Sequence, residues 1–391
     1  MRFAVITVGY NRPFALKRLL DSVLAANYLN DHVDLIISID KGDLQDEIVK
    51  IADPIEWPHG KKIVRVFDER QGLRAHILQC GGLTQEYDAV IVLEDDLTVA
   101  EGFYAYAKQC IQFYEHDERI AGISLYKHRQ NQGLGRPFDP AESIYDVFFM
   151  QIAQSWGQCW SRRMWNDFYN WYENNKNEIK DDEFLPAYVA RWNKQSWLKY
   201  YSRYVAETKK FYVYPYCSLS TNHTEVGEHA IDYSNAYQVP LLEGVLLSYR
   251  LPTVEQGVCY DPFFERLGLD SLIFPEYKGR KMLDLMGGRT DFGNADYLIS
   301  VQSLPFKVIK TIQLRYRPPE ANCLKPVSGA GIYIYDLHIK AKPPKHSYNF
   351  CIKYDLKSTS WKYTVRHGLQ GLLAAFSRRI ENRSGFLHIK K

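Results

Sequence analysis

Short apolar runs closed by polar turns, with amphipathic stretches between them, set the rhythm of the first 125 residues. Phe3 to Val8, Val33 to Ile39, Ile63 to Phe67 and Ala89 to Leu93 read as buried strands, because their apolar residues are nearly continuous rather than alternating. Between them, Phe14 to Ala26 with Pro13 at its opening turn, and Leu73 to Gln85, carry helical spacing. Strand and helix in alternation predict a parallel sheet with crossover helices. Each strand runs into polar residues: Asn11 and Arg12, then Asp40, then Arg70 and Arg74, then Glu94-Asp95-Asp96. In open α/β sheets ligands bind along that carboxyl edge.

The last junction, AVIVLEDD, is the most informative segment of the chain. A buried strand ending in three carboxylates concentrates negative charge where backbone pairing stops, which is costly unless a cation or a polar ligand shares the site. A divalent metal accounts for this, since Mg²⁺ uses one or two protein carboxylates and completes its shell with water and substrate phosphate. A solvated acidic turn capping the next helix accounts for it equally well.

Beyond Ile123 the alternation fades. Ser155-Trp156-Gly157-Gln158-Cys159-Trp160 leads into an aromatic helix with Trp165, Phe168, Trp171 and Tyr172. A second helix is expected over Tyr188 to Val205, a strand over Phe211 to Tyr214 and a polar loop from Ser218 to His229. Residues 255–345 are rich in Gly, Pro and Tyr, with short strand-like stretches such as Ile312 to Tyr316 and Gly331 to Tyr335. From Trp361 onward Lys362, Arg366, Arg378, Arg379, Arg383, Lys390 and Lys391 face one acid, Glu381, while Leu369, Leu372, Leu373, Phe376 and Ile380 share a helical face. Such a tail suits an anionic membrane surface, or a terminal helix docked on the body.

A length of 391 residues allows two or three domains, and 46% apolar with 24% charged residues excludes disorder and a disulfide-stapled mini-fold. A net charge of +3 is too small to imply a nucleic-acid partner. Seven cysteines without a CxxC pair fit reduced thiols better than a disulfide framework or a zinc site. No signal peptide and no bilayer-spanning run are visible, so a cytoplasmic protein is expected, peripheral on the inner face of the cell membrane if the tail binds there.

Together, VLEDDLTVAEGFYAY, Tyr10-Asn11-Arg12, Ser38-Ile39-Asp40 and the Trp156-Gly157 turn resemble the GT-A nucleotide-sugar glycosyltransferases. The likeness is to the N-acetylglucosaminyltransferases that initiate complex N-glycans and to bacterial family 2-like transferases of surface-polysaccharide assembly, and it spans about residues 3–230. It implies an α/β fold with a Rossmann-like mixed, mainly parallel sheet, flanking helices and a smaller α+β region. It also implies a nucleotide-sugar-binding half over 1–125, an acceptor-binding and catalytic half over 126–250, an accessory strand-rich region over 251–350 and a basic amphipathic tail over 351–391.

The resemblance implies the following roles. Arg12 lies near the nucleotide, Asp40 hydrogen-bonds uracil, Glu94 binds ribose, Asp95 touches the donor sugar and Asp96 ligates Mn²⁺ or Mg²⁺. Arg74 is a candidate phosphate partner. Trp156, Gly157 and Trp160 are expected on the acceptor side, where a sugar ring stacks, and His229, with His223 as second choice, is expected near the metal. The family's base falls near Trp197-Leu198-Lys199, where no acid stands, and Asp182 is the substitute chosen. The expected partners are a nucleotide-sugar donor, a UDP-sugar first and UDP-GlcNAc within it, and a glycan or lipid-linked saccharide acceptor, with inversion at the anomeric carbon. Two rivals remain: a sugar nucleotidyltransferase, which usually carries a glycine-rich loop where Gly9-Tyr10-Asn11-Arg12 has one glycine, and a non-catalytic glycan-binding protein.

Overall fold

The computed structural model describes residues 1–177, 185–224, 235–345, 347–356, 360, 362, 365, 366 and 368–371. Strands β1 (Phe3–Gly9), β2 (Val33–Ile39), β3 (Lys62–Val66) and β4 (Ala89–Glu94) form the expected parallel core, with helices α1 (Pro13–Leu24), α2 (Gln45–Ala52) and α3 (Leu73–Gly82) between them. Every residue of β1 and β2 is buried, which is why their sequences do not alternate. Helix α1 buries Pro13, Ala15, Leu16, Leu19, Leu20 and Val23, the one-sided spacing of a helix packed on a sheet.

Next come β5 (Leu97–Val99), α4 (Phe103–Tyr114), β6 (Ile120–Ser124), the short β7 and β8 ladder (Gln130–Asn131, Arg136–Pro137), β9 (Val147–Met150), β10 (Gln158–Ser161) and α5 (Arg162–Asn175). Helices α6 (Ala187–Ala190) and α7 (Trp197–Glu207) then lead to β11 (Phe211–Pro215), β12 (Ser220–Asn222) and β13 (Cys259–Tyr260). The main sheet runs β13-β9-β11-β6-β10-β4-β1-β2-β3. It is mixed because β10 lies antiparallel to both β4 and β6, and β9 antiparallel to β11. The chain travels outward from β1 through β2 to β3 and returns to β4 on the other side of β1, so the strand order reverses between β1 and β4. That reversal opens a crevice at their carboxyl ends.

Four expectations need correction. Ile63 to Phe67 is not a buried strand: β3 is the edge of the sheet, and each of its residues is half-buried or exposed. The helix expected over Tyr188 to Val205 is two helices, because the chain turns at 191–196 and Lys199 Nζ donates into that turn, 3.1 Å from the Trp192 carbonyl. The segment expected to lead straight into the aromatic helix holds a strand, β10, whose four buried residues are too few to carry a periodic signal. The helix expected to reach Gln85 ends at Gly82 and continues as a 3₁₀ turn.

A second, smaller sheet follows, of β14 (Lys281–Asp284), β15 (Tyr297–Ser300), β16 (Phe306–Gln313) and β17 (Gly331–Lys340), ordered β14-β15-β17-β16, with the short helix α8 (Ala321–Leu324) and α9 (Ser347–Asp355). It has its own core, in which Leu283, Ile299, Ile312, Ile332 and Ile334 pack with Cys351 and Tyr354. Arg136 ties it to the first body, donating to Asp355 Oδ2 at 2.8 Å and to the Met286 carbonyl at 2.8 Å. The expected architecture, a mainly parallel α/β sheet with flanking helices and a smaller additional region, is therefore present. Among the described residues no helix is long and apolar enough to cross a membrane, and all seven cysteines are free.

Candidate active site

The acidic triplet sits at the crevice between β1 and β4. Glu94 ends β4 in register with Val8 of β1, and Arg12 stands just past the end of β1, so the two strand ends bring cation and carboxylates face to face. The loop that carries Arg12 is held by Asn11, whose φ of 50° lies in the left-handed region and whose Oδ1 accepts the Leu44 N–H at 3.0 Å. Arg12 pairs closely with Asp95 and reaches Asp96 at 3.6 Å. Asp95 also accepts the Tyr10 N–H at 3.2 Å.

The charge balance is incomplete. Glu94 Oε1 and Asp96 Oδ1 are both buried without a hydrogen-bond partner. Burial pushes the Glu94 carboxyl up to about 8, with repulsion from Asp96 and Asp95 adding to it and a hydrogen bond from Trp197 opposing it. Burial likewise lifts Asp95 to about 7 against the pull of Arg12, while Arg12 is itself held above its ordinary value by the carboxylates, which outweigh its own desolvation. Orphaned carboxyl oxygens beside a single guanidinium are what a divalent cation would satisfy. Among the described residues no group of three or more His, Cys, Asp and Glu converges on one point. The residues present therefore suit a cation held by Asp96 with Glu94 beside it and otherwise by water and phosphate oxygens, the preference of Mg²⁺.

Asp40 has another task. It is 3% exposed and accepts N–H groups from Lys41 at 2.8 Å, Gln71 at 2.8 Å and Gly72 at 3.0 Å, fixing the loop into α3. Three of its roughly four acceptor positions are thus filled by the backbone of its own loop and of the loop into α3. Beneath it lies a buried knot in which His76 Nε2 meets Ser38 Oγ at 2.6 Å and Arg65 donates to the same oxygen at 2.9 Å. Burial holds His76 down to about 4. Arg74, expected on phosphate, instead donates to the Lys194 carbonyl at 2.9 Å and Tyr200 Oη at 3.0 Å, bridging α3 to α7.

The triplet is also tied to the downstream loop. β5 pairs with β12, His223 N–H donates to the Asp96 carbonyl at 2.9 Å, and the His223 ring meets Thr98 Oγ1 at 2.8 Å. Of the two loop histidines, His223 is thus placed beside Asp96. His229 and Asp182, together with Glu225 and Glu228, lie outside the described residues.

On the acceptor side the structure separates the expected trio. Trp156 is half-buried between Tyr126, 4.7 Å edge-on, and Tyr237, 4.8 Å away. Gly157 has φ 89° and lies where a Cβ would come within 3.1 Å of Leu125 and Ser220, so the turn requires glycine. Trp160 is a correction: it is wholly buried, donates to Tyr212 Oη at 2.7 Å and stacks on Tyr201, because β10 directs it into the core and away from any ligand.

Sequence reasoning missed Tyr10, Trp197, Tyr126 and Tyr237, whose parts depend on tertiary contact. Two of them carried a signal: Tyr10 stands in the Tyr10-Asn11-Arg12 motif, and Trp197 at the position where the family's base falls. No protein-family model matches the sequence, and no curated protein matches it. Solved structures that align with it include the mannosyltransferase PcManGT from Pyrobaculum calidifontis in complex with GDP-Man and Mn²⁺, at 16% identity and TM-score 0.32, covering 43% of this chain and 46% of that one. GalNAc-T7 with UDP, GalNAc and Mn²⁺ aligns at 14% identity and TM-score 0.39, covering 56% and 43%. S. aureus TarS 1-349 in complex with UDP-GlcNAc aligns at 12% identity and TM-score 0.37, covering 59% and 60%. The chain thus spans less than two thirds of each, and likeness at this level assigns no activity.

Proposed function

We propose that the protein is a metal-dependent glycosyltransferase that moves a sugar from a nucleotide donor, a UDP-sugar, to a glycan or lipid-linked saccharide acceptor in surface-polysaccharide synthesis. The observation that carries this reading is the pair of buried, unpartnered oxygens on Glu94 and Asp96, facing Arg12 at the reversal of strand order. A plain helix-capping acidic turn would be solvated and would not gather an arginine from the neighbouring strand end.

In this reading Asp96, with Glu94 beside it, would hold Mn²⁺ or Mg²⁺, which when bound offsets the diphosphate charge and stabilises it as it departs. Arg12 turns from Asp96 toward the phosphates while Asp95, anchored by Tyr10 N–H, keeps the guanidinium in place. Glu94 can then offer an oxygen to ribose. Asp40 shapes the nucleoside side by fixing the 70–72 loop, and Trp156 with Tyr126 and Tyr237 offers an aromatic surface to an acceptor sugar. Inversion needs a carboxylate that takes the proton of the attacking hydroxyl, and Asp182 remains the residue proposed for it.

A panel of nucleotide sugars screened for Mn²⁺-dependent release of the nucleoside diphosphate tests the reading. Turnover of a UDP-sugar that collapses in Asp96→Ala supports it. Turnover only of a nucleoside triphosphate with a sugar phosphate would move the assignment to a nucleotidyltransferase, and no metal-dependent turnover at all would overturn catalysis.

A further inference from the structure

Residues 261–345 contain thirteen Lys and Arg against nine Asp and Glu. Four of those acids, Asp261, Glu265, Asp284 and Glu320, are buried, and Arg289 pairs with Asp261. The remaining surface therefore keeps twelve cations against five acids, far more one-sided than the chain's net charge suggests.

Four of the cations gather at one corner of the second sheet. Lys340 is the ladder partner of Phe306, with its Nζ 3.8 Å from that ring, and Lys307 is next on the same strand. The chain then turns back along the start of β16: Ala341 N–H donates to the Pro305 carbonyl at 3.1 Å, and Ser303 Oγ donates to the Pro344 carbonyl, which brings Lys342 and Lys345 to the same corner. All four lysines are exposed. The acids there, Asp336 and Asp296, are engaged with backbone N–H groups of His338 and Arg280, and the His338 ring lies on Asp296. Next to Lys340 stands Ile339, 43% exposed.

Lysines on an edge strand ordinarily prevent sheet-to-sheet aggregation. That purpose covers Lys307 and Lys310 but not Lys340, Lys342 and Lys345, which lie at and beyond the end of the ladder. The Phe306 ring at this corner is covered by Lys340. Cations beside an exposed aliphatic side chain match the headgroup zone of an anionic bilayer, where lysines meet phosphates and aliphatic groups enter the interface.

We propose that the Lys307, Lys340, Lys342 and Lys345 corner, together with the exposed Ile339, docks the protein on an anionic phospholipid surface. Later in the sequence stand the basic residues from Lys362 onward, which would add to the same contact. This inference uses none of the residues of the proposed active site.

The test is sedimentation with phosphatidylglycerol–phosphatidylcholine vesicles and with pure phosphatidylcholine vesicles, on the full chain and on the chain ended after Ser360. Each lysine near such a surface changes affinity about fivefold, so replacing the four by Gln should weaken binding roughly 600-fold by that rule in both backgrounds, with wild-type binding falling as salt rises. Lys342→Gln/Lys345→Gln, confined to the segment after the ladder, should lose roughly 25-fold by the same rule and guards against misfolding of the quadruple variant. Equal binding by wild type and both variants would overturn the proposal, as would equal binding to neutral vesicles. Binding of wild type to heparin but not to vesicles would overturn it in favour of an acidic polymer. Titration of UDP with Mn²⁺ on the same variants should be unchanged, which separates failure here from failure of the transferase reading.

Discussion

Replacing Glu94 by Gln should make the metal-free protein more stable. Glu94 closes β4 with Oε1 buried and unpartnered, and burial with the charges of Asp96 and Asp95 lifts its carboxyl from 4.5 to about 8. Between those values the unfolded carboxylate is ionised while the folded one keeps its proton, so the native state binds the extra proton and stability falls as pH rises. Each pH unit in that window costs about 1.4 kcal/mol, so at pH 7 the burden is about 3 kcal/mol, and it levels off above pH 8. Glutamine keeps the shape and an acceptor for Trp197 but cannot ionise. With an unfolding entropy of roughly 2 cal/mol/K per residue, the gain corresponds to a rise in Tm of about 4 °C. Thermal melts in EDTA between pH 5 and 8 should show this rise at pH 7 and a flatter profile for Glu94→Gln. Adding Mn²⁺ and UDP should then stabilise wild type more than the variant, by mass action. A variant no more stable than wild type in EDTA would refute the reasoning, since Glu94 would then carry no electrostatic burden for a cation to relieve.

Asp40→Ala removes the acceptor for three backbone N–H groups; a loss of roughly 2–4 kcal/mol in urea unfolding is expected, with weaker donor binding following from the loosened loop. The two tryptophans should part company: Trp160→Ala should cost about 3–5 kcal/mol in the same assay, whereas Trp156→Ala should leave stability within about 1 kcal/mol and raise the KM for acceptor. His76 is held down to about 4 from 6.5, so its contribution is complete above pH 6.5 and is lost as pH falls toward 4, by about 3 kcal/mol. Urea midpoints across that range should flatten accordingly in His76→Gln, and an unchanged slope would show that the imidazole is not buried neutral.

The parallel core was legible because β1, β2 and β4 are buried on both faces and so are written as unbroken apolar runs. Their polar ends were legible for the same reason: Arg12 and the acidic triplet interrupt those runs abruptly. β10 and β13 were not, since four-residue and two-residue strands hold too few positions for periodicity to show. Trp160 was drawn to the ligand side by its neighbours Trp156 and Gly157, yet strand alternation, invisible until β10 is recognised, sends it inward. Asp40 shows the limit for single residues: a carboxylate after a strand reads the same whether it meets a ligand or the backbone of a loop thirty residues on.

If the triplet at the end of β4 holds a divalent cation, as proposed, nucleotide binding depends on that metal. Calorimetric titration of UDP into wild type and Asp96→Ala, with Mn²⁺ and in EDTA, tests it most directly. Withdrawing Mn²⁺ should weaken UDP binding to wild type at least tenfold, about 1.4 kcal/mol, and Asp96→Ala should bind UDP weakly with or without metal. UDP binding indifferent to Mn²⁺ and unaltered by Asp96→Ala would contradict it.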